Sequence, residues 1–283
     1  ESHRIFHGRG QLFKGLEHLS VDWFSPVVLI STYEEIEDIK SLTDAIVRHD
    51  IHAQIKSVML QHRKRKGAPS QCLYKKPINY CIVEEHGLKY EVQPGVNQNA
   101  GFFLDMRPLR QWLAKFSTDK NVLNLFAYTC SLSVAALSAG ARQVVNVDMS
   151  KPSIRWGSRN HALNKQDRQS IKPVSQNIFR SWGKIKQYGP YETIIIDPPS
   201  RQRGSFDVEK NYGTIIKKIK TLTVKKADII ATVNSPYLTD DFLINQFARH
   251  APQCRFVEMI SGSEEFPDKF PERAIKIYRF SNR

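Results

Sequence analysis

The sequence predicts an α/β fold: a doubly wound, mostly parallel sheet of seven strands, preceded by a small α+β domain. Three observations predict it. From about Pro94 onward, short apolar runs alternate with helical segments, the rhythm of a parallel sheet covered by helices on both faces. At the end of the chain, "CRFVEMI" and "RAIKIYRF" flank the polar loop "SGSEEFPDKFPER" with no helix between them, which reads as an antiparallel hairpin closing the sheet. Up to Val92 the order is different: a strand, one helix, then several short strands. The expected domains are therefore residues 1–93 and 94–283.

In the first domain "PVVLIST" is the strand, "YEEIEDIKSLTDAIVRHD" the helix, and "AQIKSVMLQ", "QCLYKK", "NYCIVEE" and "LKYEVQ" the short strands. The last two are joined at His86-Gly87, a pair suited to a tight hairpin turn. The domain carries "HRKRKGAPSQCLYKK", in which Arg63, Lys64, Arg65, Lys66, Lys75 and Lys76 occur with no acid. The whole chain has 42 Lys and Arg against 28 Asp and Glu, a formal charge of +14. An excess of that size points to a phosphate polymer as partner, that is, RNA or DNA.

The four cysteines, Cys72, Cys81, Cys130 and Cys254, are widely spaced with no C-x-x-C, which argues against a zinc site or a disulfide framework and fits a reducing cytoplasm. No metal is expected. No apolar run approaches the ~20 residues that span a bilayer, and "ESHRIFHGRGQLFKG" has no signal-peptide core.

In the second domain the strands are "NVLNLF", "QVVNVD", "SIKPVS", "YETIIID" and "ADIIATVN". Ligands of such sheets bind beyond the carboxyl ends of the strands. The loop after the first strand, "AYTCS", lacks the G-x-G-x-x-G of a dinucleotide site, so a cofactor without a diphosphate is favoured. Asp148 ends the second strand, where a carboxylate accepts both hydroxyls of an adenosine ribose. Met149 beside it is placed to cover an adenine face, and Ser150 reads as the cap of the next helix. Asn177 and Ile178 follow the third strand, suited to bonding and packing adenine, although a capping role fits Asn177 equally. Asp197 emerges from the fourth strand into Pro198 and Pro199, which lack N–H donors and hold their carbonyls stiffly. A carboxylate beside rigid acceptors suits a planar amino or imino group. Upstream, "GFFLDMRP" places Asp105 as a candidate helix cap and Arg107 as a partner for a carboxylate.

"GFFLDMRP", "NLFAYTCS", "NVDMS" and "IIIDPPS", in this order and spacing, resemble the class I S-adenosylmethionine-dependent methyltransferases of bacterial large-subunit (23S) ribosomal RNA. The resemblance covers roughly Pro94 to Phe280 and implies a Rossmann-like methyltransferase domain with S-adenosyl-L-methionine as cofactor. It implies that Asp105 and Arg107 hold the methionine end and that the loop of Phe126, Tyr128, Thr129, Cys130 and Ser131 wraps the cofactor. Asp148 would take the ribose, Asn177 the adenine, and Asp197 would face the methyl donor and the target base.

Cys130 stands where the family usually has glycine, which puts cofactor affinity in question. A thiol for attack on a cytosine carbon would sit instead beyond the fourth or fifth strand, where the chain has Ser200 and Asn234. Serine with no evident base does not activate a pyrimidine ring. The reading is therefore transfer to an atom that is already nucleophilic, a base nitrogen or an oxygen. The absence of a ring after the two prolines weakens an exocyclic amine, and a ring nitrogen of guanine is consistent with what remains.

"SRQRGSFDVEKNYGTIIKKIK" follows Pro199 directly. Arg201, Arg203, Lys210, Lys217, Lys218 and Lys220 form a basic arc, and Phe206 and Tyr212 are candidates to stack on bases. With Arg63–Lys66 on the other domain, a two-sided basic cleft for RNA is expected, in a ribosomal RNA or an assembly intermediate. The competing readings are a methyltransferase of small molecules or proteins, disfavoured by the charge, and an RNA-binding protein that keeps the fold without catalysis.

Overall fold

The structure, a computed structural model, describes residues 1–202, 205–235 and 237–283. The chain forms two compact units, Glu1–Asp105 with Ser263–Pro271, and Met106–Gly262 with Glu272–Arg283. The polar stretch expected to be a plain hairpin loop thus belongs largely to the first unit. It is held there by Lys269 N donating to Gly10 O at 2.7 Å and by the Arg4 guanidinium lying over the Phe266 ring.

The first unit contains β1 (His3–His7), β2 (Leu19–Phe24), β3 (Val27–Thr32), α1 (Ile39–Arg48), β4 (Ser57–His62) and β5 (Ser70–Lys75), with β6 (Cys81–Glu85) and β7 (Leu88–Val92) as a separate hairpin. The five-stranded sheet runs β1-β2-β3-β4-β5, antiparallel except for the β3–β4 pair that α1 connects. The expected hairpin turn is present, with His86 and Gly87 both left-handed (φ 50° and 76°). Two strands escape the sequence reading, β1 and β2. In "LSVDWF" every residue is buried, and the carboxylate of Asp22 is taken in by a two-pronged bond from Arg4, at 2.7 and 3.0 Å. Helix α1 starts later than expected because Asp38 caps it, accepting from Ser41 N at 2.9 Å.

The second unit contains α2 (Arg107–Phe116), β8 (Asn121–Leu125), α3 (Ser131–Ser138), β9 (Gln143–Val147), α4 (Lys151–Leu163), β10 (Ile171–Val174), α5 (Trp182–Tyr188) and β11 (Tyr191–Ile196). It continues with β12 (Arg201–Gln202), β13 (Phe206–Asp207), α6 (Val208–Ile216), α7 (Ile219–Leu222), β14 (Thr223–Val233), α8 (Asp241–His250), β15 (Cys254–Ile260) and β16 (Lys276–Asn282). The seven-stranded sheet has the order β10-β9-β8-β11-β14-β16-β15. The first five strands are mutually parallel, and β16 runs antiparallel to both β14 and β15. The chain therefore winds outward from β8 in both directions, and the terminal hairpin inserts its second strand next to β14. The point where strand order reverses lies between β8 and β11, at the loops after Leu125 and Ile196.

Alternation along the strands explains the two layers. Leu123, Leu125, Val145, Val147, Ile194, Ile196, Ile229 and Ala231 share one core with Ile185, Tyr212, Ile215, Phe247 and Phe280 from the helices and the closing strand. The opposite face of β8 and β9 includes two asparagines in register, Asn124 and Asn146. Asn124 Nδ2 donates to Asn146 Oδ1 at 3.1 Å.

Candidate functional site

Strand β8 ends early. Phe126 leaves it in the left-handed region (φ 60°), followed by Tyr128 (φ 47°) and Cys130 (φ 62°). Three alternate non-glycine residues in that conformation is unusual, since each meets a clash between Cβ and carbonyl that costs roughly 1–2 kcal/mol. The surroundings hold them. Ala127 N donates to Val147 O at 3.0 Å and Cys130 N to Ala127 O at 2.7 Å. Tyr128 N donates to Asp148 Oδ2 at 2.9 Å, and Asn160 of α4 donates to Thr129 O at 2.8 Å. The Cys130 carbonyl then accepts from Ser133 Oγ and Val134 N as α3 begins at Ser131.

Within this loop Phe126, Tyr128 and Ser131 are half-buried, whereas Thr129 and Cys130 are both about 1% exposed. These last two offer a ligand only backbone. Burial pushes the Cys130 thiol well above its ordinary value, with the nearby Asp148 charge adding to the effect. A thiol in that setting is neither accessible nor ionised, which removes it as a nucleophile.

Asp148, half-buried just past β9, has each oxygen on a backbone donor: Oδ2 on Tyr128 N and Oδ1 on Ser150 N at 2.8 Å. Its pKa is raised by burial, an effect these two bonds oppose. A carboxylate offers about four lone-pair sites, so one fixed in this way keeps capacity for two hydroxyls. Met149 is exposed, and Ser150 caps α4 by accepting from Ser153 N at 3.2 Å, as its sequence position suggests. Beyond β10, Asn177 spends its side-chain oxygen on Phe179 N at 2.9 Å. Ile178 opens the short 3₁₀ turn Ile178–Arg180 and is buried against the apolar core.

Asp105 and Arg107 lie on either side of the division between units. Asp105 sits in the 3₁₀ turn Leu104–Met106, and Arg107 is the first residue of α2. The cap position of that helix is Met106 rather than Asp105.

The loops after β11 and β14 are tied together. Thr232 Oγ1 donates to Asp197 Oδ1, and Ser200 Oγ donates to Asn234 O. Beneath them the hydroxyl of Tyr212 is shared between Ile196 O at 3.2 Å and Thr232 O at 3.0 Å. Asp197 thus sits at the end of two clamped strands, with Pro198 buried behind it and Pro199 exposed.

Here the structure corrects the two proposed stacking rings. Tyr212 is fully buried, its hydroxyl pushed well up by burial and by Asp197. Phe206 is buried too, edge-on to Phe126 and stacked on Phe179. An aromatic that the sequence reading passed over is on the same rim instead. Tyr237, in the loop after β14, is 91% exposed. The signal was "NSPY", a ring just past a strand end.

Of the basic residues, Arg201 and Lys210 are exposed, and Arg203 lies outside the described residues. On the first unit Arg63 is half-buried and clasps its own chain, donating to Gln98 O, to Gln61 Oε1 at 3.3 Å and to Asn99 Oδ1 at 3.4 Å. That bonding ties part of its guanidinium to its own chain. Lys64 and Arg65 are exposed but paired with Glu34 and Glu35. The basic run is therefore part-neutralised by acids from another segment, in surface pairs that exchange readily. Lys66 is exposed.

A buried polar network underlies the loop after β8, and its members went unread in the sequence. His161 Nδ1 donates to Gln166 Oε1 at 2.6 Å, so Nε2 is the acceptor for Asn146 Nδ2 at 3.3 Å, with Ser133 Oγ, whose proton goes to the Cys130 carbonyl, 3.2 Å away. Gln166 in turn donates to Val134 O and Ser138 Oγ of α3, each at 2.8 Å. Burial pushes His161 down from 6.5 to about 4, opposed by the Gln166 bond. The unfolded chain takes the proton first, so this histidine's contribution is intact above pH 6.5 and is lost as the pH falls towards 4. The expected loss is on the order of 3 kcal/mol. Urea midpoints are predicted to fall between pH 7.5 and 4.5. A His161→Gln protein, less stable at pH 7.5, is expected to lose less across that window; an equal loss would clear His161 of the effect.

The chemistry of the rim favours one kind of cofactor. Two carboxylates, Asp148 and Asp197, follow β9 and β11, the strands on either side of β8, and no glycine-rich turn is present to receive a diphosphate. A cationic nucleoside with a free ribose diol fits that donor set. S-adenosylmethionine has both properties.

The S-adenosylmethionine-dependent methyltransferase family matches residues 3–281 of this chain. The chain is similar to a ribosomal RNA large subunit methyltransferase K/L of Colwellia psychrerythraea, 32% identical over 192 residues, which is 66% of this chain and 27% of that protein. It is also similar to the putative ribosomal RNA large subunit methyltransferase YwbD of Bacillus subtilis, 26% identical over 246 residues, 82% of this chain and 60% of that protein. It spans less than two thirds of either relative. Among solved structures, SMU.776, a putative methyltransferase complexed with SAH, has the same fold. The TM-score is 0.86 at 24% identity, over 99% of this chain and 75% of that one. With a match that enters both units and runs from residue 3 to residue 281, the chain belongs to the S-adenosylmethionine-dependent methyltransferases.

Proposed function

We propose that the chain transfers a methyl group to a base nitrogen of RNA, specifically of large-subunit ribosomal RNA. The observation that carries the reaction type is the clamped Asp197–Pro198–Pro199 turn with no usable thiol beside it. In the second unit Cys130 and Cys254 are both buried, and burial raises both thiols, Cys254 to about 11. The names of the relatives and the charge of +14 support RNA as the substrate. The four unpaired cysteines suit a reducing cytoplasm, and among the described residues no helix is long and apolar enough to cross a membrane.

When bound, S-adenosylmethionine supplies a methyl group on a sulfonium that is already a good leaving group. The protein's task is alignment and exclusion of water. Asp148 accepts the ribose hydroxyls, and the pinned Phe126–Ser131 loop lines the cofactor with backbone. Asp197, held on one oxygen by Thr232, orients the base and its N–H, with the proline carbonyls as further acceptors. Arg201, Lys210 and Lys66 meet phosphates, positioning the RNA without reading its sequence.

The exposed ring of Tyr237 supplies the stacking surface that Ser200 lacks. Tyr237→Ala is expected to lower kcat/KM for RNA by about 10–100-fold, the scale for losing one base stack. Tyr237→Phe is expected to stay near wild type, with cofactor affinity constant in both; equal losses in the two variants would remove stacking as the cause. Cys130→Ser is expected to keep methyl transfer within a factor of a few. A covalent adduct with 5-fluorocytosine RNA, lost in that variant, would overturn both the role of Cys130 and the nitrogen acceptor.

The function is tested by supplying labelled S-adenosylmethionine with unmodified large-subunit rRNA, or with a panel of metabolites and proteins, and mapping modified nucleosides by mass spectrometry. A methylated base in the rRNA is expected. Label appearing only in metabolites or proteins would sink the RNA reading.

A further inference from the structure

Helix α4 turns one stripe towards the loop after β8, made of Ile154, Gly157 and Asn160. Gly157 is the gap in that stripe, and the side chain of Cys130 fills it. A Cβ built on Gly157 would lie 2.2 Å from Cys130 Sγ, 2.8 Å from Cys130 Cβ and 3.3 Å from the Thr129 carbonyl carbon. The sulfur can move aside only by rotating about χ1, whereas Cys130 Cβ and the Thr129 carbonyl carbon are fixed by a backbone pinned at the Cys130 N–H and carbonyl and at Thr129 O by Asn160.

Each residue of the pair is locally unfavourable. Cys130 carries a Cβ at φ 62°, where glycine is at ease. Gly157 sits inside a helix where alanine is preferred. Two local misfits in direct contact have one common explanation, an exchange of size in which the loop carries the knob and the helix carries the hole.

We propose that Gly157 is a positioning residue for S-adenosylmethionine, acting through Cys130: the thiol seated over Gly157 sets where the Phe126–Ser131 loop stands against the cofactor. This rests on the assignment of that loop to the cofactor. Helix α4 thereby controls the pocket wall from the side opposite the ligand. The Cys130 sulfur serves as a packing wedge with no chemistry of its own.

The test compares wild type, Gly157→Ala, Cys130→Gly and the double variant by calorimetric titration with S-adenosylmethionine, with thermal unfolding of each unliganded protein measured in parallel. Gly157→Ala is expected to weaken binding at least tenfold. In the Cys130→Gly background the same change is expected not to weaken it, so the sign of the substitution depends on residue 130. Equal effects in the two backgrounds, or a Gly157→Ala protein with wild-type affinity, would overturn the proposal. So would a lowered melting temperature with unaltered affinity, since packing alone would then account for the glycine. If Gly157→Ala does not fold, the double variant decides: recovered folding and binding support the pair, and an equally unfolded double variant refutes it. A wild-type protein that fails to bind S-adenosylmethionine would instead sink the cofactor-loop assignment, a different failure.

Discussion

In Asp148→Ala, affinity for S-adenosylmethionine is expected to fall by about 10–100-fold, corresponding to the 1–3 kcal/mol range for bonds to a charged group. The carboxylate does two things at once. It accepts from Tyr128 N and Ser150 N, and it keeps acceptor capacity for the ribose. Removing it also frees the Tyr128 peptide, one of the ties on a loop that holds three left-handed residues. Asp148→Asn separates the two effects, because a single amide oxygen can serve either the backbone or the ribose but presents N–H where the other acceptor stood. It is expected to fall between wild type and alanine. Titration with S-adenosylmethionine and with methionine alone checks the ribose assignment. If the alanine variant binds S-adenosylmethionine as tightly as wild type, Asp148 does not hold the ribose.

The parallel sheet and its antiparallel close were legible because both rest on local pattern. Apolar runs such as "YETIIID" are long enough to be buried on two faces, and the missing helix between the last two runs leaves only a hairpin. The strand-end carboxylates were legible for the same reason, since a polar residue terminating an apolar run falls at the rim. What a run faces was not legible. "HRIFH" reads as a polar segment until Arg4 meets Asp22, a contact made only by strand pairing. Asn124 and Asn146 look like faults in buried strands until their registers coincide and His161 arrives from α4. Phe206 and Tyr212 sit among lysines and arginines in the chain, which suggests an RNA surface. Helical periodicity turns the lysines out and Tyr212 inward, while Phe206 pairs with Phe126 and Phe179 from other strand ends. The neutralising of Lys64 and Arg65 by Glu34 and Glu35 likewise depends on strands brought together by folding.

Asp197→Asn is expected to reduce single-turnover methyl transfer by about 10²–10⁴, the range for a positioned acid–base group. The geometry makes this substitution informative. Thr232 Oγ1 donates to Asp197 Oδ1, and an asparagine can keep that bond with its amide oxygen. Its nitrogen then occupies the other position and presents a donor where the wild type has an acceptor. A base N–H is repelled instead of held, and no carboxylate remains to take a proton. The clamp of Ser200 on Asn234 and the shared hydroxyl of Tyr212 below are untouched, so the turn keeps its shape. Affinity for S-adenosylmethionine is therefore expected to move far less than turnover. RNA binding is expected to keep its salt dependence, because the phosphate contacts are assigned to Arg201, Lys210 and Lys66. One preparation serves all three measurements: single-turnover rate, cofactor affinity, and RNA affinity across a salt series. Surviving turnover would show that Asp197 does not touch the reacting base. Loss of cofactor binding in step with turnover would make it a cofactor residue, and the acceptor would then have to be held by the loop after β14 alone.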